Sequence, residues 1–267
     1  MITARNLTAT AKVVATIHRF RWLTYELIYR DLRLRYRGSV LGMAWTLFNP
    51  LIFMLIYTLV FSGYMRINVE RYPLYLLSGL IPWTWFSSAL LQGTSALVDG
   101  RHYVGKTTFP TELLILVPVL SNGVNLVLSL PLLFIFALVM GAHLGWSLLL
   151  LPVVIFVELV VVTAFVLLTA TFNVFYRDLQ QLVNYFVTAM FFLTPIFYQA
   201  SAVPASLRSF VVLNPFAALL GAYQSILYAG TWPRPEALLF PLIFGLALFA
   251  VALHFFEEYR ELFGEYV

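Results

Sequence analysis

Residues 29–50 read YRDLRLRYRGSVLGMAWTLFNP, and the boundary inside this stretch decides the fold. Arg30, Arg33, Arg35 and Arg37 crowd into its first half, and no charge then appears from Gly38 to Met65. Dense positive charge directly against oil fits a secretory leader, a nucleic-acid patch or the edge of a membrane span. A leader has an apolar core of about 7–15 residues and a small-residue cleavage site. Here the core begins only near Leu41, is longer than that, and ends at SGYMRIN with no A-x-A-like site, so the leader reading fails.

Composition separates the other two. The chain is 61% hydrophobic and 10% charged, with a mean hydropathy of +0.89. A soluble domain carries about one-quarter charged residues, so this surface does not suit water. The net charge of +4 does not imply nucleic acid, because the basic residues are not spread over a face interleaved with stacking aromatics. No cysteine is present, which excludes disulfides, zinc–thiolate sites and a cysteine nucleophile and leaves the redox compartment open.

A helix needs about 20 apolar residues to cross the hydrocarbon. Such runs predict six spans, at about 41–65, 73–98, 113–140, 147–172, 179–198 and 237–256, with GAHLGW turning the chain between the third and fourth. Residues of about 205–230 are apolar too, but Asn214-Pro215 interrupts them and Pro204, Pro233 and Pro235 crowd the flanks. Proline removes a backbone donor and drives the preceding residue from helical geometry. Two short helices that enter the membrane and return are expected there, which bilayers tolerate only where protein buries the broken backbone. The fold class is therefore all-α and integral to the membrane, a single six-helix domain over 41–256 with a re-entrant hairpin between helices 5 and 6. Residues 1–40 precede it and a tail of 257–267 follows.

With six spans, twelve Lys and Arg fall on the side of the termini and four, Arg66, Arg71, Arg208 and Arg234, on the other. The positive-inside rule then places both termini in the cytoplasm. Ahead of the first span, Trp22, Tyr25, Tyr29, Leu32 and Tyr36 recur at helical spacing beside a strip of Arg19, Glu26, Arg30, Arg33 and Arg37. That pattern predicts an amphipathic helix in the membrane interface, rings at headgroup depth and guanidiniums toward phosphates. The same flank also serves as a bare topology signal with no ligand. Trp83 and Trp85 read as interfacial belt residues. Glu158 is a lone acid deep in a span, placed either for proton coupling or for pairing between helices, and the second suits it better. His18, His102, His143 and His254 have no ligand spacing, so no metal site and no catalytic residue is assigned.

GRHYVGKT, residues 100–107, matches the phosphate-loop pattern at every position. That loop works after a strand and before a helix. Here it follows a membrane span, and Pro110 comes three residues after Thr107, so nucleotide binding is set aside. The surrounding VDGRHYVGKTTFPTELL instead reads as a polar loop that a cytoplasmic partner would meet first.

Taken in order, YRGSVLGMAWTLFNPLI, GRHYVGKTTFPTELLIL, FNVFYRDLQQLV, LTPIFY and LNPFAALLGAYQSILYAG resemble the membrane subunit of type 2 ABC exporters of polysaccharides, the permeases for O-antigen, capsule and teichoic acid. The resemblance covers Trp22 to Phe256. It implies a homodimer in the bacterial inner membrane with one polysaccharide path at its centre. It also implies two copies of a separate cytoplasmic ATPase, which would hold the ATP and magnesium, so this chain would need no cofactor. The substrate would be a lipid-linked glycan taken from the cytoplasmic leaflet. On that reading Arg30, Arg33, Arg35 and Arg37, with Tyr36, would meet the phosphate of the lipid carrier, since arginine suits bidentate phosphate contacts. Asp99, Arg101, Tyr103, Lys106, Phe109, Pro110 and Glu112 would dock in the ATPase and transmit its closure. Trp45, Phe48, Phe53 and Tyr57 on the first span, with Tyr185, Phe192 and Tyr198 on the fifth, would let sugar faces slide past; the alternative for any one ring is contact with lipid. An ABC permease for small hydrophobic compounds is the competing reading. A membrane enzyme on polyprenyl-linked glycans fits less well, because paired carboxylates are lacking among only three Asp.

The cysteine-free chain allows the topology to be tested directly. A cysteine placed by Ala142→Cys should react with an impermeant maleimide on intact cells, and one placed by Arg101→Cys only after permeabilisation. The reverse pattern would invert the orientation.

Overall fold

The structure, a computed structural model, describes residues 18–104 and 109–266. Its helices are α1 (Arg21–Arg35), α2 (Trp45–Tyr57), α3 (Tyr72–Asp99), α4 (Glu112–Val139), α5 (Leu151–Asn173), α6 (Leu179–Leu193), α7 (Arg208–Val212), α8 (Pro215–Leu227), α9 (Glu236–Tyr259) and α10 (Phe263–Tyr266). No strand occurs among the described residues. Five segments are long and apolar enough to cross a bilayer: Gly42–Tyr64, Tyr72–Asp99, Glu112–Val139, Trp146–Asn173 and Glu236–Tyr266. The first is not a uniform helix, opening with a 3-10 turn at Gly42–Ala44 and widening to π-helix over Thr58–Tyr64.

The expected fifth span is shorter than the others. Regular helix ends at Leu193, because Pro195 forces Thr194 into an extended conformation. Fifteen residues cover only about 22 Å, and the chain continues from the helix through the bent TPIFY segment. Tyr72, which opens α3, donates to the carbonyl of Phe197 at 2.9 Å. The far end of this segment therefore lies at the end of α3 remote from Asp99.

α3 is the axis of the bundle. Its apolar window is 78% buried by the rest of the chain, against 17% for Gly42–Tyr64. Apolar burial against lipid gains little, so helices in a bilayer associate through close packing and internal hydrogen bonds. Both are present. Gly93 of α3 lies so close to Val166 of α5 that a methyl group would run into the valine side chain, and Cβ at Gly245 of α9 would sit 2.8 Å from Val161 Cγ2. Trp85 donates its indole N–H to the carbonyl of Val119 on α4 at 2.9 Å. The belt reading of Trp83 and Trp85 is thereby corrected: they are 4% and 3% exposed. Trp83 packs on Phe86, Phe191 and Phe216. A belt rule assumes a lipid-facing helix, and α3 is enclosed.

The segment with Asn214-Pro215 enters and leaves on one side. Helices Ala205–Val212 and Pro215–Leu227 meet at 88°. Tyr75 Oη donates to the carbonyl of Tyr198 ahead of the segment at 2.7 Å, and its ring meets that of Tyr228 behind it at 5.3 Å. Both ends therefore converge on one residue near the start of α3. The broken backbone is satisfied internally: Asn214 accepts from the Phe216 amide and donates to Thr194 Oγ1, each at 2.9 Å. Glu158 is resolved by the same hairpin. Tyr223 Oη donates to its Oε2 at 2.6 Å, with both residues almost fully buried. The lone acid of α5 joins two helices, as a buried carboxyl group must find a donor in the protein.

Tyr223→Phe should leave that carboxyl group unpartnered and cost about 1–3 kcal/mol, read as a lower unfolding midpoint in detergent. An unchanged midpoint would mean that the pair does not hold the hairpin.

Candidate functional site

One end of the bundle gathers α1, the loop before α4, the loop between α5 and α6, and the residues after α9. Thr24 is the buried anchor of α1 and bonds back to the Phe20 carbonyl at 3.1 Å. The aromatic stripe turns outward: Trp22, Tyr25 and Tyr29 are exposed, with the two tyrosine rings stacked at 6.4 Å. The opposite face, with Leu27 and Asp31 half-buried, is turned toward α3 and α4. Between them lies an open cavity of about 460 Å³, lined also by Arg30, Gln92, Ser95, Asp99 and Tyr103. Behind it a second cavity of about 280 Å³ is lined by Tyr36, Asn49, Thr84, Ser88, Asn125 and Ser129 among others. Arg35 and Gln92 line both.

Arg35 is the hub. Its guanidinium donates to Asp31 Oδ2 at 2.6 Å and to Asn122 Oδ1 at 2.8 Å. Asn122 in turn donates to Gln92 Oε1 at 3.0 Å and to the Pro118 carbonyl at 2.7 Å. Asn122 lies ten residues beyond Glu112 along α4, about 15 Å by helical rise, so the cation is drawn well into the bundle. A charge there persists only when paired and hydrogen-bonded, and Asp31 with Asn122 meets that requirement. Tyr36 extends the link to the first span through a 2.7 Å hydrogen bond with Thr46. In the inner cavity, Asn125 Oδ1 is buried without a protein partner. A polar cavity of this size holds water or a polar ligand group at such an acceptor.

The four predicted arginines thus divide. Arg35 faces inward and is committed. Arg30 reaches Tyr103 Oη at 3.3 Å. Arg33 and Arg37 remain exposed. In the outer cavity the charges of Arg30 and Arg35 are offset by Asp31 and Asp99, so any draw on anions comes chiefly from Arg33 and Arg37 outside it. Asn122, Gln92, Asn125 and Asp31 were not singled out from sequence. The available signal was carboxamides inside otherwise apolar spans, with Asn122 and Asn125 three apart on one helix face.

The loop before α4 is placed in part. Asp99 ends α3 and accepts from Ser95 at 2.7 Å. Arg101 is exposed, and the rings of Tyr103 and Phe109 lie 4.8 Å apart. Pro110 and Glu112 are buried. Lys106, with most of the second half of the phosphate-loop pattern, lies outside the described residues. The part that is described, residues 100–104, follows the end of helix α3 and not a strand. No cluster of three His, Asp or Glu able to hold a metal occurs among the described residues.

Six of the seven predicted rings fall into two groups, and Tyr185 joins neither. Phe53, Tyr57, Phe192 and Tyr198 join one cluster through Phe61, Phe191 and Phe197, with Tyr57 5.8 Å from Phe191 and Phe61 4.4 Å from Phe197. Trp45 and Phe48 pair separately at 6.5 Å. Phe48, Phe53, Tyr185 and Phe192 are exposed on the surface of the chain.

The chain as a whole is similar to known proteins. Residues 23–228 match the ABC-2 type transporter family, and the chain belongs to that family. Over 256 residues it is 38% identical to the O-antigen export system permease protein RfbA of Myxococcus xanthus, a match covering 95% of this chain and 98% of that one. An RfbA permease of the same description from Klebsiella pneumoniae is 29% identical over 237 residues, 88% of this chain and 91% of its own.

Asn122→Ala should free Arg35 from α4. Hydrogen exchange across residues 21–35 is expected to rise by about ten-fold or more, from the loss of a charge-assisted hydrogen bond. Unchanged exchange would show that α1 is held by other contacts.

Proposed function

We propose that this chain is the membrane permease subunit of an ATP-driven exporter that carries a lipid-linked polysaccharide of the O-antigen class from the cytoplasmic leaflet to the outer side of the inner membrane. The observation that carries this reading is the nearly end-to-end similarity to a permease described by O-antigen export. Two copies would form the path and two copies of a separate ATPase would drive it, with both termini in the cytoplasm. ATP and magnesium would belong to that partner.

The geometry fits such a cargo. Arg33 and Arg37 stand exposed beside a polar cleft, where a phosphate-bearing headgroup meets guanidiniums before it meets the neutralised interior. The first span is little covered by its own chain and carries exposed rings toward the protomer surface. A second copy placed against it would turn those rings into the wall of a shared path, and aromatic faces hold sugars loosely enough to let them pass. The buried loop end at Pro110 and Glu112, with Arg101 exposed beside it, offers the ATPase a rigid foot.

Deleting the gene should strand lipid-linked polymer inside the cell, and its appearance outside as before would overturn the reading. Replacing Arg33 and Arg37 together by glutamine should lower export by roughly ten- to thirty-fold, at about 1 kcal/mol for each surface cation, while the complex with the ATPase still forms. Full export by that variant would remove the headgroup role. ATP hydrolysis by the purified chain alone would refute the division of labour.

A further inference from the structure

Arg260, immediately after α9, places its Nη1 3.0 Å from Glu112 Oε1 and 3.7 Å from Glu257 Oε1. Glu112 is 8% exposed, is the first residue of α4 and closes the segment assigned to the ATPase. A carboxylate buried to that degree is costly without a cation, and among the described residues Arg260 supplies it. The same short tail grips a second loop on this side. The Tyr259 ring lies 5.4 Å and the Tyr266 ring 5.0 Å from Phe175, and Phe263 is fully buried beside them. Residues 259–266 therefore join the loop before α4 to the loop before α6.

From Arg260 a packed route leads away from this side. α9 lies along α5 at van der Waals contact, with Gly245 against Val160 and Val161. α5 in turn holds the re-entrant hairpin through Glu158 and Tyr223. Close-packed helices with no slack pass a displacement on instead of absorbing it.

Resting on the permease reading above, we propose that Arg260 is a positioning residue for energy coupling: its ion pair with Glu112 clamps the ATPase-facing loop to the last span. A push on the loop then moves α9 and α5 together, and with them the outer hairpin. Without the clamp, the loop yields while the spans stay in place, and ATP is spent without transport.

The test uses the complete complex of this chain with its ATPase in lipid vesicles, and reads glycan exported per ATP hydrolysed. A variant that merely folds poorly lowers both rates together and leaves their ratio unchanged. Arg260→Glu is expected to reduce the ratio by roughly five-fold or more, the usual scale of coupling between sites. Combining it with Glu112→Arg should restore the ratio by rebuilding the pair in reverse. If the swapped protein does not assemble, Arg260→Met should lower the ratio and Arg260→Lys should keep most of it. An unmoved ratio in Arg260→Met, or a swap that assembles without recovery, overturns the inference. A wild-type chain that binds no ATPase would instead sink the permease reading, so the two failures are distinguishable.

Discussion

In hydrocarbon a polar group has no water to turn to, and this constraint organises the whole molecule. Several polar side chains that the structure draws between the spans are answered by another element. Glu158 is answered by Tyr223, Trp85 by the Val119 carbonyl, and Asn214 by Thr194 and the Phe216 amide. Because lipid competes well for apolar surface, these pairs and the close approaches at Gly93 and Gly245 specify which helix lies beside which. The enclosed α3 is their common reference.

The same constraint explains why the polar end of the bundle is divided in two. Arg35 is neutralised by Asp31 and bonded to Asn122, and acts as structure. Arg33 and Arg37 have no such commitment inside the bundle and face outward. Four arginines that look alike in sequence therefore sit in different settings, decided by where each falls on α1 or in the turn after it. The outer cavity sets Arg30 and Arg35 against Asp31 and Asp99, and the inner one beyond Arg35 is lined largely by carboxamides and hydroxyls, a setting suited to water or neutral polar groups.

Much of the architecture was legible without coordinates. The uncharged runs marked the spans, since few alternatives exist for twenty apolar residues in a row. Asn214-Pro215 marked the hairpin, because proline leaves a break that only a protein-lined site accepts. The first residues of the phosphate-loop match follow a helix and not a strand, as the apolar run before them implied. The tryptophans of α3 misled, since residue type tells what suits an interface but not whether a helix reaches one. Arg260 and Asn122 were invisible for a related reason: their partners lie far away along the chain, and neither sits in a motif.

Sequence by itself determined that this chain is a bundle of membrane helices, roughly where each begins and ends, and which family pattern it follows. Those properties rest on local composition and on proline chemistry, which act within one segment. Tertiary structure alone decided which helix is central, which arginine is held, what satisfies Glu158, and that Arg260 after α9 pairs with Glu112 at the start of α4. Pairings of that kind depend on contacts between segments 65 to 148 residues apart, as between Glu158 and Tyr223 or Glu112 and Arg260. No periodicity or spacing along the chain encodes them, because each is set by how neighbouring helices rotate about their axes until these buried polar groups meet.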